Sequence, residues 1–179
     1  NDSTAASFAR LSVAAGKFWN NKRIVPVVGE AMECLGGAGY VEESILPRLY
    51  REAPLNGIWE GSGNVICLDI LRAMSKSPAS FDIVVAELEL ASGLSPFFDV
   101  HLDGLKAQVG ALTEANSRQF AQDLALALQS ALLLQHAPEY VAGLFCASRL
   151  GARGGYQMGT LPLSSDWRAV LERARPASS

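Results

Sequence analysis

Apolar residues recur at helical spacing along nearly the whole of this chain, while the strict alternation of a half-buried strand is scarce. The clearest case is Ile24, Val27, Val28, Ala31, Met32 and Leu35. They follow the i, i+3, i+4, i+7, i+8, i+11 rule of an amphipathic helix. Glycine or proline stands at the joints between such segments. The pattern predicts an all-α fold, an up-and-down helical bundle with an additional C-terminal helical region, and no strands.

Ser3 or Thr4 is expected to cap a first helix carrying Phe8, Leu11, Ala15 and Phe18 on one face. A second helix holds the Ile24–Leu35 stripe, with Pro26 in its first turn, where a missing N–H costs little. Gly36 and Gly37 end it, since glycine takes left-handed dihedrals without a Cβ penalty. Ser44 is placed to cap a short helix through "ILPRLYREA". Pro54 and Gly57 then force a loop that delivers Trp59 and Glu60, and Ser62 is the expected N-cap of the next helix. Cys67, Ile70, Leu71 and Met74 form that helix's stripe, and "SKSP" ends it. Pro78 divides the chain into residues 1–77 and 78–179. Four helical segments follow, and in the third Phe120, Leu124, Leu128 and Leu132 recur every fourth residue. "RGGYQMGTLPLSS" reads as a loop, and a last short helix from Asp166 is expected to turn Trp167 and Leu171 inward.

The net charge of −3 argues against a chain built mainly to neutralise phosphates. Cys34, Cys67 and Cys146 are few and far apart, which suits a reducing compartment rather than a disulfide framework. There is no C-x-x-C pair, and His101 and His136 lack a partner at ligand spacing, so no metal site is expected. The first residues lack the pattern of a secretory signal. The apolar run "ALLLQHA" is far too short to cross a bilayer, so no membrane partner is expected and the expected setting is cytoplasmic. The chain does not start with Met, which suggests a fragment or a processed piece.

The stretch "IWEGSGN" holds one carboxylate, Glu60, between Trp59 and a run of small residues. An acid before a helix is ordinarily a solvated turn residue favoured by the macrodipole. As a base it would need to reach a substrate proton in a partly dry site. Trp59 can shield one side, and Gly57, Gly61 and Gly63 let a bulky ligand approach the backbone. "LGGAGY" reads as a helix C-cap that can also present bare N–H groups to a phosphate. It is not a dinucleotide fingerprint, because no strand precedes it. Ser62 has no neighbouring His and reads as a cap. The cysteines read as small core residues. Arg149, Arg153 and Arg168 could meet nucleic acid, but acids are interspersed with the arginines here, and a solvated surface is the default reading.

Together, "ECLGGAGY", "RLYREA" and "WEGSGNVI", in that order and spacing, resemble the C-terminal helical domain of the acyl-CoA dehydrogenases. The form "WEGSGN", with "EESILPRLYREAPLN" before it, looks most like the AidB-like, alkylation-response branch. The resemblance is strong over about residues 5–76 and weaker beyond. It implies an FAD-dependent α,β-dehydrogenation of an acyl-CoA thioester. Glu60 aligns with the catalytic base, Gly61 with backbone at the substrate, and Ser62, Gly63 and Asn64 with a flavin-contacting turn. Glu33, Cys34, Leu35, Gly36 and Gly37 align with a segment that contacts the adenosine-diphosphate part of FAD, often that of a neighbouring subunit. The region after residue 78 matches helices associated with DNA binding in that branch.

Two departures stand out. Glu33 replaces the usual Gln, and Ile66 stands where another Gln falls. The resemblance further implies that the domains cradling the flavin ring lie outside this chain. The function expected is therefore the C-terminal part of such a flavoprotein, incomplete without upstream domains or a partner chain, and a homo-oligomer. The alternative is a non-catalytic helical module for DNA binding or oligomerisation.

Overall fold

In the computed structural model the described residues are 3–151, 158–162 and 166–176. Among them every regular element is helical. The α-helices are α1 (Ser3–Cys34), α2 (Gly37–Tyr40), α3 (Leu46–Glu52), α4 (Gly63–Lys76), α5 (Ala79–Glu89), α6 (Pro96–Gln108), α7 (Ser117–His136), α8 (Glu139–Arg149) and α9 (Trp167–Ala174). Short 3₁₀ turns cover Ala53–Gly57, Val109–Ala111 and Glu114–Asn116. The chain forms two compact units. The first comprises Asn1–Val85 and Gln108–Ala125, the second Ala86–Ala107 and Leu126–Ser179.

In the first unit α1 packs along α4 and also meets α2 and α3. Leu11, Ala15, Phe18 and Val28 are buried from α1, and Ile66, Cys67, Ile70 and Met74 from α4. A fully buried side chain such as Leu11 contributes about 1.5–3 kcal/mol relative to exposure. The Phe81 and Phe120 rings lie 5.8 Å apart in a tilted pair. The second unit has its own core, with Leu88, Phe98, Leu102, Leu105, Leu126 and Cys146 buried.

The helices beyond residue 78 form where the periodicity placed them, and Gly36, at φ 58°, stops α1 as expected. Four details differ. The two N-terminal patterns are one helix, with Pro26 inside it rather than in a first turn. Pro26 removes one ladder donor. No turn-forming cluster separates the patterns, and α1 is held along its length by its neighbours, which outweighs that loss. Ser44 does not cap α3: the helix starts at Leu46 with Pro47 in its first turn, and Ser44 Oγ is buried without a described partner. Leu132 is exposed although Phe120 and Leu124 are buried. A spacing of four overshoots one helical turn by about 40°, so three steps rotate the row by about 120°, off the core. Ala127, Ser130 and Ala131 take the buried side instead. Trp167 and Leu171 are exposed on α9, not inward. Periodicity marks an apolar face; it does not supply the neighbour that would cover it.

Candidate functional site

The segment after α3 behaves as its residues dictate. Pro54 sits in the first turn of the 3₁₀ turn Ala53–Gly57, which hands the chain to residues 58–62. Ser62 is the N-cap residue of α4 in extended conformation; its carbonyl accepts from the Ile66 N–H at 3.0 Å, but its hydroxyl makes no cap bond. Between these fixed points lies Glu60, with φ 53°, followed by Gly61 with φ 106°. Among the described residues Glu60 is the one non-glycine residue in the left-handed region. That backbone costs an L-residue roughly 1–2 kcal/mol. Such conformations persist where surrounding contacts over-determine them, often at functional sites.

Lys17 of α1 supplies that constraint. Its Nζ donates to the Glu60 carbonyl at 2.7 Å and approaches the Trp59 carbonyl at 3.4 Å. The same ammonium is 3.9 Å from Glu60 Oε2. The Glu60 side chain is 86% exposed, so this ion pair adds little stability. The backbone contacts fix the loop and leave the carboxylate projecting. Trp59, Ile58 and Val65 are exposed around it. Trp59 therefore lies beside the carboxylate without enclosing it.

Asn64, at the start of α4, is already engaged. Its Oδ1 accepts from Arg118 Nη1 at 2.8 Å, and that guanidinium lies 5.8 Å from the Phe18 ring centroid. Gly63 is buried, and a Cβ there would come 2.9 Å from Lys22 Cε. Lys17, Lys22 and Arg118 thus surround the turn that holds Glu60, Ser62, Gly63 and Asn64. None of the three stood out in the sequence, because each reaches the turn from a distant position.

The second set gathers at the C-terminal end of α1. Glu33, Gly36 and Gly37, with Gly29, Met32, Tyr40 and Tyr50, line an open groove of about 780 Å³. A Cβ at Gly36 or Gly37 would meet nothing within 4 Å, so the backbone there is open to a ligand. Cys34 and Leu35 are exposed beside the groove and do not line it. Gly39 has a different role: a Cβ would run into the Met32 carbonyl oxygen and lie 2.9 Å from Met32 Cα. It lets α2 fold back onto α1. The two sets are well separated. Lys17, which grips Glu60, and Glu33 are 16 residues apart on α1, roughly 24 Å at 1.5 Å per residue. One small pocket cannot hold both.

Arg149 ends α8, and the Arg168 guanidinium lies 4.9 Å from the Trp167 ring centroid on α9. Arg153 falls outside the described residues. Among the described residues no cluster of three or more His, Cys, Asp or Glu could hold a metal, and no helix is long and apolar enough to cross a membrane.

Comparison with known proteins bears on the family. Residues 2–75 match the family model for the acyl-CoA dehydrogenase C-terminal domain. The chain is 41% identical over 157 residues to AidB of Escherichia coli (strain K12), which covers 88% of this chain and 29% of that protein. It is 46% identical over 70 residues to acyl-CoA dehydrogenase family member 11 of Caenorhabditis elegans, 39% of this chain and 11% of that one. The crystal structure of Caenorhabditis elegans ACDH-11 in complex with C11-CoA superposes with a TM-score of 0.70 at 25% identity, over 97% of this chain and 33% of that one. Bd2924 in its apo form gives a TM-score of 0.65 at 29% identity, over 77% and 27%. The chain therefore spans about a third or less of each of these relatives.

Proposed function

Because the chain belongs, through residues 2–75, to the acyl-CoA dehydrogenase C-terminal domain family, we propose that it is the C-terminal part of an FAD-dependent acyl-CoA dehydrogenase-like flavoprotein, with Glu60 as the base. The observation that carries this reading is the loop around Glu60. A carboxylate is projected from a left-handed residue held by Lys17, next to a glycine with φ 106°. The reaction would remove a proton from the α-carbon of an acyl-CoA thioester and a hydride from its β-carbon. Glu60 takes the proton. FAD, when bound, supplies the acceptor for the hydride. Gly61 lets the thioester approach the main chain. Lys17 keeps the loop in register through its carbonyl contacts.

The residues present fit the flavin cofactor in part. Gly36 and Gly37 offer an unobstructed edge, and Tyr40 and Tyr50 offer flat faces for an adenosine. Glu33 opposes a diphosphate at the same groove, since two like charges repel unless bridged. Ser62, Gly63 and Asn64 would border the flavin ring; Ser62 keeps an uncommitted hydroxyl, whereas Asn64 is held by Arg118. Cys34 and Leu35 would flank the adenosine end.

In this reading residues 1–77 form the helical domain and 78–179 the additional helical region. Full activity needs the flavin-cradling domains or a partner chain, in a homo-oligomer. The exposed apolar side chains of the first unit support this. Tyr40, Val41, Ile45 and Leu49 lie uncovered on one stretch of chain and Ile58 and Trp59 on another, exposed apolar side chains of the kind found at interfaces.

The test joins the chain to its upstream region, titrates FAD and follows acyl-CoA dehydrogenation. Glu60→Gln should lower the rate by about 100-fold or more while flavin binding persists. Protein that takes up no flavin, or dehydrogenation indifferent to Glu60→Gln, rejects the enzyme reading.

A further inference from the structure

We propose that the first unit carries a second binding site, apart from Glu60, for a single-chain amphiphile with an anionic head. The site is built on α4. Leu68, Leu71 and Met74, with Phe81 and Leu112, line a cavity of about 630 Å³. Asp69 and Lys76, with Arg10 of α1 and Ser77, line a neighbouring pocket of about 420 Å³. Arg72 lines both. Helical geometry explains this. At about 100° per residue, Leu71, Ser75 and Leu68 fall on one side of α4 and Lys76, Asp69 and Ala73 on the next, with Arg72 at the seam.

The charges decide what the pair of cavities can take. Arg10 is engaged by Asp69 at 2.6 Å. Arg72 and Lys76, one turn apart, are exposed, and neither forms an ion pair with a described residue. Like charges at this spacing repel, and an anion between them removes the repulsion while accepting charge-assisted hydrogen bonds from a guanidinium fork. The larger cavity carries two carboxylates, Asp82 and Glu114, which come from α5 and the turn before α7. They repel an anion there and leave the Arg72 end for the head. The remaining lining of that cavity is mainly apolar, and its volume falls within the roughly 300–1,000 Å³ of small-molecule sites. An aliphatic tail in the larger cavity with a carboxylate at Arg72 and Lys76 satisfies both halves. A soluble alcohol satisfies only the first, and a cationic amphiphile is repelled at Arg72. This site does not depend on the flavin reading and needs neither Glu60 nor Glu33.

The test titrates the full chain calorimetrically with decanoate, decan-1-ol and decyltrimethylammonium, each below its micelle concentration. Decanoate should bind at one site at least about tenfold more tightly than the other two. Arg72→Met should weaken decanoate about tenfold and leave decanol unchanged. Ser75→Trp, an exposed position lining the larger cavity, should fill it and abolish binding, with helix content by circular dichroism as the control for folding. Failure of decanoate to bind overturns the proposal. So does equal affinity for decanol, tighter binding of the cation, or decanoate affinity that survives Ser75→Trp, which would place the tail elsewhere on the surface.

Discussion

The glycines of "LGGAGY" separate packing from conformation, because Gly36, Gly37 and Gly39 each meet a different obstacle. At Gly37 a Cβ finds open space, and no left-handed φ is needed. Alanine there should stabilise the chain by about 0.4–1 kcal/mol, through the smaller freedom of the unfolded state. At Gly36 the space is also open, but φ is 58°. With ψ at −140° this backbone lies in a region essentially reserved for glycine, so a cost of roughly 1–3 kcal/mol, less the same unfolded-state gain, leaves a net loss of about 0–2.5 kcal/mol. At Gly39 the new carbon meets main-chain atoms of Met32, which cannot rotate away as a side chain would. α2 must lift from α1, and overpacking of this kind costs about 1–3 kcal/mol. Gly37→Ala is therefore expected to be more stable than wild type, and Gly36→Ala and Gly39→Ala less stable. Urea unfolding checks it, with Trp19 and Trp59 fluorescence reporting on the first unit. Gly39→Ala within about 0.5 kcal/mol of wild type, or Gly37→Ala as harmful as Gly39→Ala, refutes the reasoning.

Other outcomes follow from the same geometry. Glu60→Asn should be no less stable than wild type, because Asn tolerates the left-handed region, whereas Glu60→Ile should be less stable in the same urea assay, because a β-branched side chain adds to the cost that Glu60 already carries. Gly63→Ala should be nearly neutral despite a 2.9 Å approach, since the opposing atom is the mobile end of Lys22; a melting-temperature scan reads this. Exposed Cys34 should react with a thiol reagent in the native chain, while buried Cys67 and Cys146 should react only on unfolding. Burial pushes both buried thiols up, with Arg118 and Lys22 drawing Cys67 partly back and Ser95 and Ser130 doing the same for Cys146. Their contribution to stability is complete below the ordinary thiol range of about 8.5 and is lost as pH rises through the raised folded values, so denaturation midpoints should fall on the alkaline side.

Much of the candidate site was legible because its signals are short. The order of "LGGAGY", "RLYREA" and "WEGSGN" marked the family, and Pro54 and Ser62 bounded the turn that bears Glu60. Lys17, Lys22 and Arg118 were not legible. A basic residue on a helix face looks like any solvated charge until the fold shows what it faces. Gly39 was hidden for a similar reason: its neighbour Gly37 looks identical in sequence and differs only in what a side chain would strike.

The sequence by itself determined the helical class, the joints at Gly36, Pro54 and Pro78, and which faces are apolar. Each of these depends on dihedral preferences and hydrogen bonds within about four residues. Only the tertiary structure decided that α1 runs unbroken through Pro26, that Glu60 is held left-handed, and that the Trp167 face is left uncovered. Lys17 acts on Glu60 across 43 positions, and Arg118 acts on Asn64 across 54. No local pattern encodes such pairings, because they arise when packing brings distant helices side by side.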